Sequence, residues 1–537
     1  MPKPDLILTN ATVVTLDAAS TVAEAVVVHD GRIAAVGSSR DAAARRGAGV
    51  PVVDLGGKTV VPGFVDGHSH AGTGGSLFRH AAVHTPPAGD VRTVADLIAA
   101  MHENLVANDP APGERLVAWG WFPDDMDDGG QVTADLLDRE FPDHRAMVAH
   151  VSGHGGVACT RILEDLGFGP GVPDPPGGTI GRYPGTDVPN GVLWEQAWTP
   201  LVFDLLAFRP DEFDVMLAEY ARWGTTTVQD GAASWEEVTQ IRAHATATPL
   251  PVDVRSLVLF NELEAAIASG LVDTTVGGHT LQGVKLILDG SPQGKTAFLT
   301  EPYLTGGPNG ETDWRGLATM TPEVTNQLVE RAYRNQVQVY AHVNGDAAVD
   351  QLLAAHRAAV WAGARPHRRT VPIHSQVMRH DQLDAYVDAG FEPSMFTVHT
   401  LMFGDTHLRN LGPARAAGIS PMRSAIARGL RPSNHSDYPV APINPLLLLW
   451  SSMSRATADG VVLGADERVT AAQGLRALTI DAAYQYGLQH DRGSIEVGKL
   501  ADLVVLSANP LEVPVDDVRH LDVLRTFKRG ETVYSAP

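Results

Sequence analysis

The pattern of apolar and polar positions changes texture twice along the chain. The first 60 residues set short apolar runs between turns: Leu6–Leu8, Thr12–Leu16 and Ala25–Val28, then His29-Asp30-Gly31-Arg32 as a hairpin turn into Ile33–Gly37. The same texture returns near the end, in Gly493–Leu506 and Val523–Tyr534. Neither piece holds enough strands for a stable sheet alone. The two ends are therefore expected to build one small β-sandwich domain from residues 1–60 and 486–537.

Between them, residues 61–485 alternate strand-length apolar runs with helix-length mixed segments, the rhythm of parallel strands joined by crossover helices. Eight runs stand out: Thr59–His70, Thr225–Asp230, Val252–Phe260, Val284–Asp289, Val337–His342, Val371–Gln376, Phe391–Phe396 and Arg431–Asp437. Eight such strands, each followed by a helix, predict an α/β fold of the (β/α)8 TIM type, with functional groups at the strands' C-terminal ends. Ala71 to Gly224, about 150 residues, is far longer than a crossover needs. The stretch 71–224 is expected to be an inserted subdomain.

Composition narrows the partners. Asp and Glu outnumber Lys and Arg by 63 to 41, giving a formal charge of −22 without any basic run, which argues against nucleic acid. Cys159 is the single cysteine, so an intrachain disulfide and a thiolate metal cluster are both excluded. The opening Met1-Pro2-Lys3-Pro4-Asp5 lacks an apolar signal core, and the leucine run Leu446–Leu449 is far too short to span a bilayer. A cytoplasmic protein without membrane contact is expected.

Candidate chemistry gathers at the strand ends. Asp66-Gly67-His68-Ser69-His70 closes the first run, and residues two apart on a strand share a face, so His68 and His70 can offer two imidazoles to one point. With 21 histidines in the chain, a lone His-x-His is weak. It gains weight from Lys285 and Asp289 on one face of the fourth run, His342 and His374 ending the fifth and sixth, and His435 and Asp437 ending the eighth. Taken singly, each histidine reads as a hydrogen-bonded rim residue and Lys285 as an ammonium paired with an acid such as Asp289. Together they read as a metal site. A lysine facing a barrel interior loses its charge readily, and its free amine can take up carbon dioxide to form a carbamate able to bridge two cations. Imidazole and carboxylate without thiolate suit Zn²⁺, with Mn²⁺ or Fe²⁺ as substitutes. Asp437 is then placed to act as general base on an activated water in amide-type hydrolysis.

These motifs resemble the amidohydrolase superfamily, and more narrowly its YtcJ-like branch with the N-substituted formamide deformylases. The resemblance rests on Asn10–Leu16, Asp30–Gly37, Pro62–His70, Lys285 with Asp289-Gly290-Ser291 and Thr296-Ala297, Ala341-His342 with Gly345-Asp346, Ser436-Asp437 and Gly498–Leu503. It implies a binuclear site: His68 and His70 on one metal, carboxylated Lys285 bridging, His342 and His374 on the second, and Asp437 as ligand and base. It also implies that His154, in Gly153-His154-Gly155, reaches toward the substrate carbonyl. Cys159 stands where the branch has Asn, and Ile373 precedes His374 where the branch commonly has Glu. His399 and His407 are read as pocket residues or as a hydrogen-bonded loop, and Trp119-Gly120-Trp121-Phe122 as an apolar wall for the substrate or, in preference, as the core of the insert.

The expected function is a metal-dependent hydrolase of a non-peptide C–N bond, of amide or N-substituted formamide type, acting on a small molecule as a homodimer. The alternatives are a mononuclear deaminase or cyclic-amide hydrolase, and a silent scaffold. Lys285 and the lack of a His-x-x-Glu at His342 or His374 speak against the deaminase. The scaffold is disfavoured because none of the six ligands is missing.

Overall fold

The computed structural model describes residues 5–47, 49–201, 208–307 and 310–537. The expectation for the opening residues 1–4 lies outside the described residues, as does the part of the insert at 202–207. The chain forms two compact units, one of Met1–Gly72, Asp214–Tyr438 and Ile443–Pro537, the other of Thr73–Phe213 and Pro439–Pro442.

In the first unit the two chain ends meet in two sheets. One has the order Arg32–Gly37, Ala25–His29, Leu6–Thr9, Val52–Asp54; the other runs Glu531–Ser535, Val523–Lys528, Leu503–Leu506, Thr59–Pro62, Thr12–Val14, Val22–Ala23. Strict alternation decides which side chains pack between them. Leu6, Leu8, Val26 and Val28 of the first sheet share a core with Val13, Val60, Leu503, Val505 and Phe527 of the second, while Ile7 and Val27 face the other way onto Ala42 and Val50.

The same unit carries eight parallel strands: β1 Phe64–Val65, β2 Thr225–Ala233, β3 Asp253–Leu259, β4 His279–Ile287, β5 Gln338–Val343, β6 Val371–His374, β7 Ser394–Met395 and β8 Ser433–Asn434. They lie side by side in chain order, giving a TIM-type α/β fold. Beyond the strand ends, Gly67 N–H donates to Asn434 O (3.3 Å) and Asp437 N–H to His68 O (3.0 Å), so the segments after β1 and around β8 are bonded directly. Helices such as Trp235–Ala247, Pro322–Arg334 and Asp346–Trp361 cover the strands, and Val284, Leu286, Val339, Ala341, Val349 and Leu352 lie in the core between them.

The first run departs from expectation. Thr59–Pro62 belongs to the terminal sheet, antiparallel to Leu503–Leu506 with Val60 opposite Val505, and only Phe64–Val65 pairs into the barrel, with β2. The chain changes sheets at Gly63, where a Cβ would collide with the Thr226 side chain. Both halves are buried throughout and mostly apolar, so periodicity carries no sign of the switch.

The second unit holds a six-stranded mixed sheet in the order Gly178–Arg182, Pro189–Glu195, Gly155–Ala158, Arg145–His150, Arg115–Trp121, Ala81–Ala82. Trp119 and Trp121 are buried in it, and Trp121 Nε1–H donates to Gly130 O at 3.0 Å. Among the described residues, no helix is long and apolar enough to cross a membrane.

Candidate metal centre

The motif after β1 is held by its first acid. Asp66 is buried, and its carboxylate accepts from Ser436 Oγ (2.6 Å), Ser436 N–H (3.2 Å) and His68 N–H (3.2 Å), joining the segments that carry His68 and Asp437. Burial pushes its pKa up to about 7 against those bonds. His374, Ser375 and Asp437 all adopt left-handed backbone, with φ of 73°, 47° and 51°. Such conformations persist where surrounding bonds hold them, and they concentrate at functional sites.

Around this frame the strand ends converge. Lys285 Nζ on β4 lies 2.9 Å from His68 Nε2. Asp437 Oδ1 is 3.3 Å from His68 Nε2 and 3.4 Å from His70 Nε2, and its Oδ2 is 3.8 Å from His374 Nδ1. On the far side His342 Nδ1 faces His374 Nε2 at 3.1 Å. Two trios have their ligand atoms within 4.8 Å of one another: His68, His70 and Asp437, and His374, His435 and Asp437. The six residues read from the sequence therefore lie together, and His435 joins them. Asp289 does not serve Lys285: its carboxylate accepts the backbone N–H groups of Phe298 (3.0 Å), Asn344 (2.9 Å) and Gly345 (2.7 Å) and lies 3.6 Å from His342 Nε2.

The electrostatics suit cation binding. Lys285 is 2% exposed, and burial drags its pKa from 10.5 down to about 7, with Asp437 partly opposing. His68, His374 and His435 are held well below the ordinary imidazole range, first by burial and then by neighbouring histidines and Lys285. Neutral imidazole is the form that ligates a metal.

Hydrogen bonds fix which nitrogen of His68 is bare. Gln229 Nε2 donates to Tyr486 Oη (3.1 Å), and that hydroxyl is oriented by the Asp66 and Gly67 carbonyls (2.8 and 3.0 Å). Gln229 Oε1 thus faces His68 Nδ1, 2.5 Å away, and must receive its proton. His68 Nε2 is left as a lone pair aimed at Lys285 and Asp437. For His342, Nε2 lies among Gly290 O (3.1 Å), the Asn344 amide nitrogen (3.0 Å) and Asp289. The motif reading did not find Gln229 or Tyr486, because a polar residue on a buried strand and a tyrosine at a helix end carry no local mark of this role.

His399 Nδ1 and His407 Nε2 are 2.7 Å apart and both residues are buried, but they stand on the helix His399–Ala417, two turns apart, and not in a loop as one of the two readings expected. His154 belongs to the second unit, where its Nδ1 is 3.2 Å from Glu195 Oε2.

The amidohydrolase family model matches residues 51–534. The chain is 28% identical to the N-substituted formamide deformylase of Arthrobacter pascens over 99% of its own length and 98% of that protein. It is 23% identical to the putative amidohydrolase YtcJ of Bacillus subtilis, over 95% and 96% of the two chains. Among solved structures, an uncharacterized metal-dependent hydrolase of Pyrococcus horikoshii has the same fold, with a TM-score of 0.76 at 21% identity over 95% of this chain and 99% of that one.

Proposed function

The chain belongs to the amidohydrolase family, in the YtcJ and formamide deformylase branch, and is a metal-dependent hydrolase of non-peptide C–N bonds; from that premise we propose that it cleaves an amide or N-substituted formamide with two divalent cations. In this reading His68, His70 and Asp437 would hold the first cation, His342 and His374 would hold the second, and a carboxylated Lys285 would serve both. Zn²⁺ fits the donors best, with Mn²⁺ or Fe²⁺ able to replace it. When bound, the metals supply Lewis acidity at the substrate carbonyl and lower the pKa of water toward about 7.

Asp437 does the proton work. It takes a proton from the attacking water as the C–O bond forms and returns it to the departing nitrogen as the C–N bond breaks, so one water yields an acid and an amine. His154 is the remaining catalytic candidate, carried by resemblance alone. The same reading takes the terminal sheets as one β-sandwich domain (1–60 and 486–537) beside a barrel at 61–485 with its insert at 71–224. It further takes the enzyme as a cytoplasmic homodimer acting on a small molecule, with neither nucleic acid nor membrane as partner.

The observation that carries the reading is the convergence of Lys285 Nζ and Asp437 Oδ1 on His68 Nε2, at 2.9 and 3.3 Å. Metal analysis of the purified protein with an activity panel of formamides, N-acyl amines, lactams and amino-substituted heterocycles tests it. The expected result is two metals per chain and turnover of a formamide or amide. Turnover of heterocyclic amines alone with one metal would move the assignment to a deaminase, and uniform silence of metal-replete protein to a scaffold.

A further inference from the structure

His374 is buried at the end of β6 behind Ile373, which offers it no polar support; its ring nitrogens face His342 of β5 and His435 just after β8, and His435 is held in turn from β7, β8 and the far end of the chain. His374 Nδ1 lies 3.1 Å from His435 Nε2, and His435 Nδ1 lies 2.8 Å from Ser394 Oγ. The Ser394 and Ser433 hydroxyls are 2.9 Å apart, Ser433 Oγ is 2.5 Å from Gln485 Oε1, and Gln485 Nε2 donates to Gly67 O at 2.7 Å. All of these side chains are buried.

The direction of this relay follows from its last link. A carbonyl only accepts, so Gln485 must turn its NH₂ to Gly67 and its oxygen to Ser433. The single Ser433 proton then goes to Gln485 Oε1, and the Ser394 hydroxyl must donate to Ser433. Ser394 is left to accept from His435 Nδ1–H. His435 Nε2 is consequently bare and takes the proton of His374 Nδ1, for which Asp437 Oδ2, at 3.8 Å, is too distant to be a hydrogen-bond partner. His374 Nε2 therefore has no proton of its own and points its lone pair at the position it shares with His342 Nδ1.

A second observation supports the relay independently. Gly67 sits between the motif's acid and its first histidine, and a Cβ there would lie 2.6 Å from Ser433 Oγ and 2.7 Å from Ser394 Oγ. The missing side chain makes room for the two hydroxyls.

We propose that His435, held by Ser394, Ser433 and Gln485, is a positioning residue that fixes the tautomer and ring orientation of His374 and so sets the affinity of the second cation. This rests on the binuclear reading above. It assigns His435 no bond to the metal, although its ring lies within reach of one.

The test compares wild-type protein with His435→Leu, His435→Gln and Ser394→Ala. Metal content is followed under graded chelator, the absorption spectrum of the Co²⁺-loaded protein is recorded, and melting of the metal-free forms checks folding. His435→Leu is expected to lose the second metal at about 10–100-fold weaker chelation while keeping the first, with a changed Co²⁺ spectrum. His435→Gln, which can accept from His374 and donate to Ser394, restores most of that affinity, and Ser394→Ala, remote from the metals, gives a smaller loss. Unchanged second-metal affinity in both His435→Leu and Ser394→Ala overturns the proposal. So does a Gln variant as impaired as the Leu variant, because the imidazole itself would then be the ligand. Wild-type protein that never takes up a second metal overturns instead the binuclear reading beneath it.

Discussion

Replacing Lys285 with Met gives a pH-dependent signature whose sign follows from the structure. In the metal-free protein the amine is buried, and its pKa falls from 10.5 to about 7. At about 1.36 kcal/mol per pH unit, the protonated form costs about 5 kcal/mol in the folded state, an upper figure that local relaxation reduces to roughly 2–5 kcal/mol. Because the folded pKa is the lower one, the unfolded chain binds more protons between pH 7 and 10.5, and stability rises with pH across that window. The penalty is complete below pH 7 and gone above 10.5. Lys285→Met removes it. At roughly 2.1 cal/mol/K per residue of unfolding entropy, a chain of this length shifts its Tm by about 1 °C per kcal/mol.

Metal-free Lys285→Met should therefore melt about 2–5 °C above metal-free wild type at pH 6–7, with the gap closing toward pH 10.5. The assay is differential scanning calorimetry of chelator-treated samples across that range. Metal-loaded samples should reverse the order, since the variant lacks the bridge and is expected to bind at most one cation, with kcat/KM down by about 10³-fold or more. A gap that does not change with pH, or a metal-free variant less stable than wild type at pH 7, would refute the account of a desolvated amine. A metal-loaded variant with two cations and near-normal turnover would refute the bridging role.

Three further outcomes are expected. Asp437→Asn should lower kcat by about 10²–10⁴-fold, the range for a lost general base, with a flattened acidic limb in the pH–rate profile; an unchanged limb counts against the assignment. Gln229→Leu should weaken the first cation by about 10–100-fold, while Gln229→Glu, which keeps the acceptor at His68 Nδ1, retains it; chelator titration reads both. Arg492→Met leaves Asp253 short of a partner now 2.7 Å away, beside Lys528 at 2.5 Å, and should destabilise the fold by about 3–5 kcal/mol without altering metal stoichiometry; equal stability would make the buried network dispensable.

The strand rhythm and the groups at strand ends were legible in the sequence because both depend on local periodicity. An apolar run ending in His68-Ser69-His70 states its own chemistry, and so do Lys285 within β4 and Asp437 just after β8, since side chains two apart share a face and strand ends of a parallel barrel share a mouth. What folding alone decided is of another kind. Thr59–Pro62 joined the terminal sheet rather than the barrel, since a mostly apolar segment fits either, and the crossing falls at Gly63, where the close Thr226 side chain leaves no room for a Cβ. Gln229, Tyr486, Ser394, Ser433 and Gln485 acquire their roles through hydrogen bonds that span the chain, as in the Gln485–Gly67 bond between residues 418 apart. Such bonds leave no periodic trace, because their partners are chosen by the packing of the whole barrel and not by neighbours in sequence.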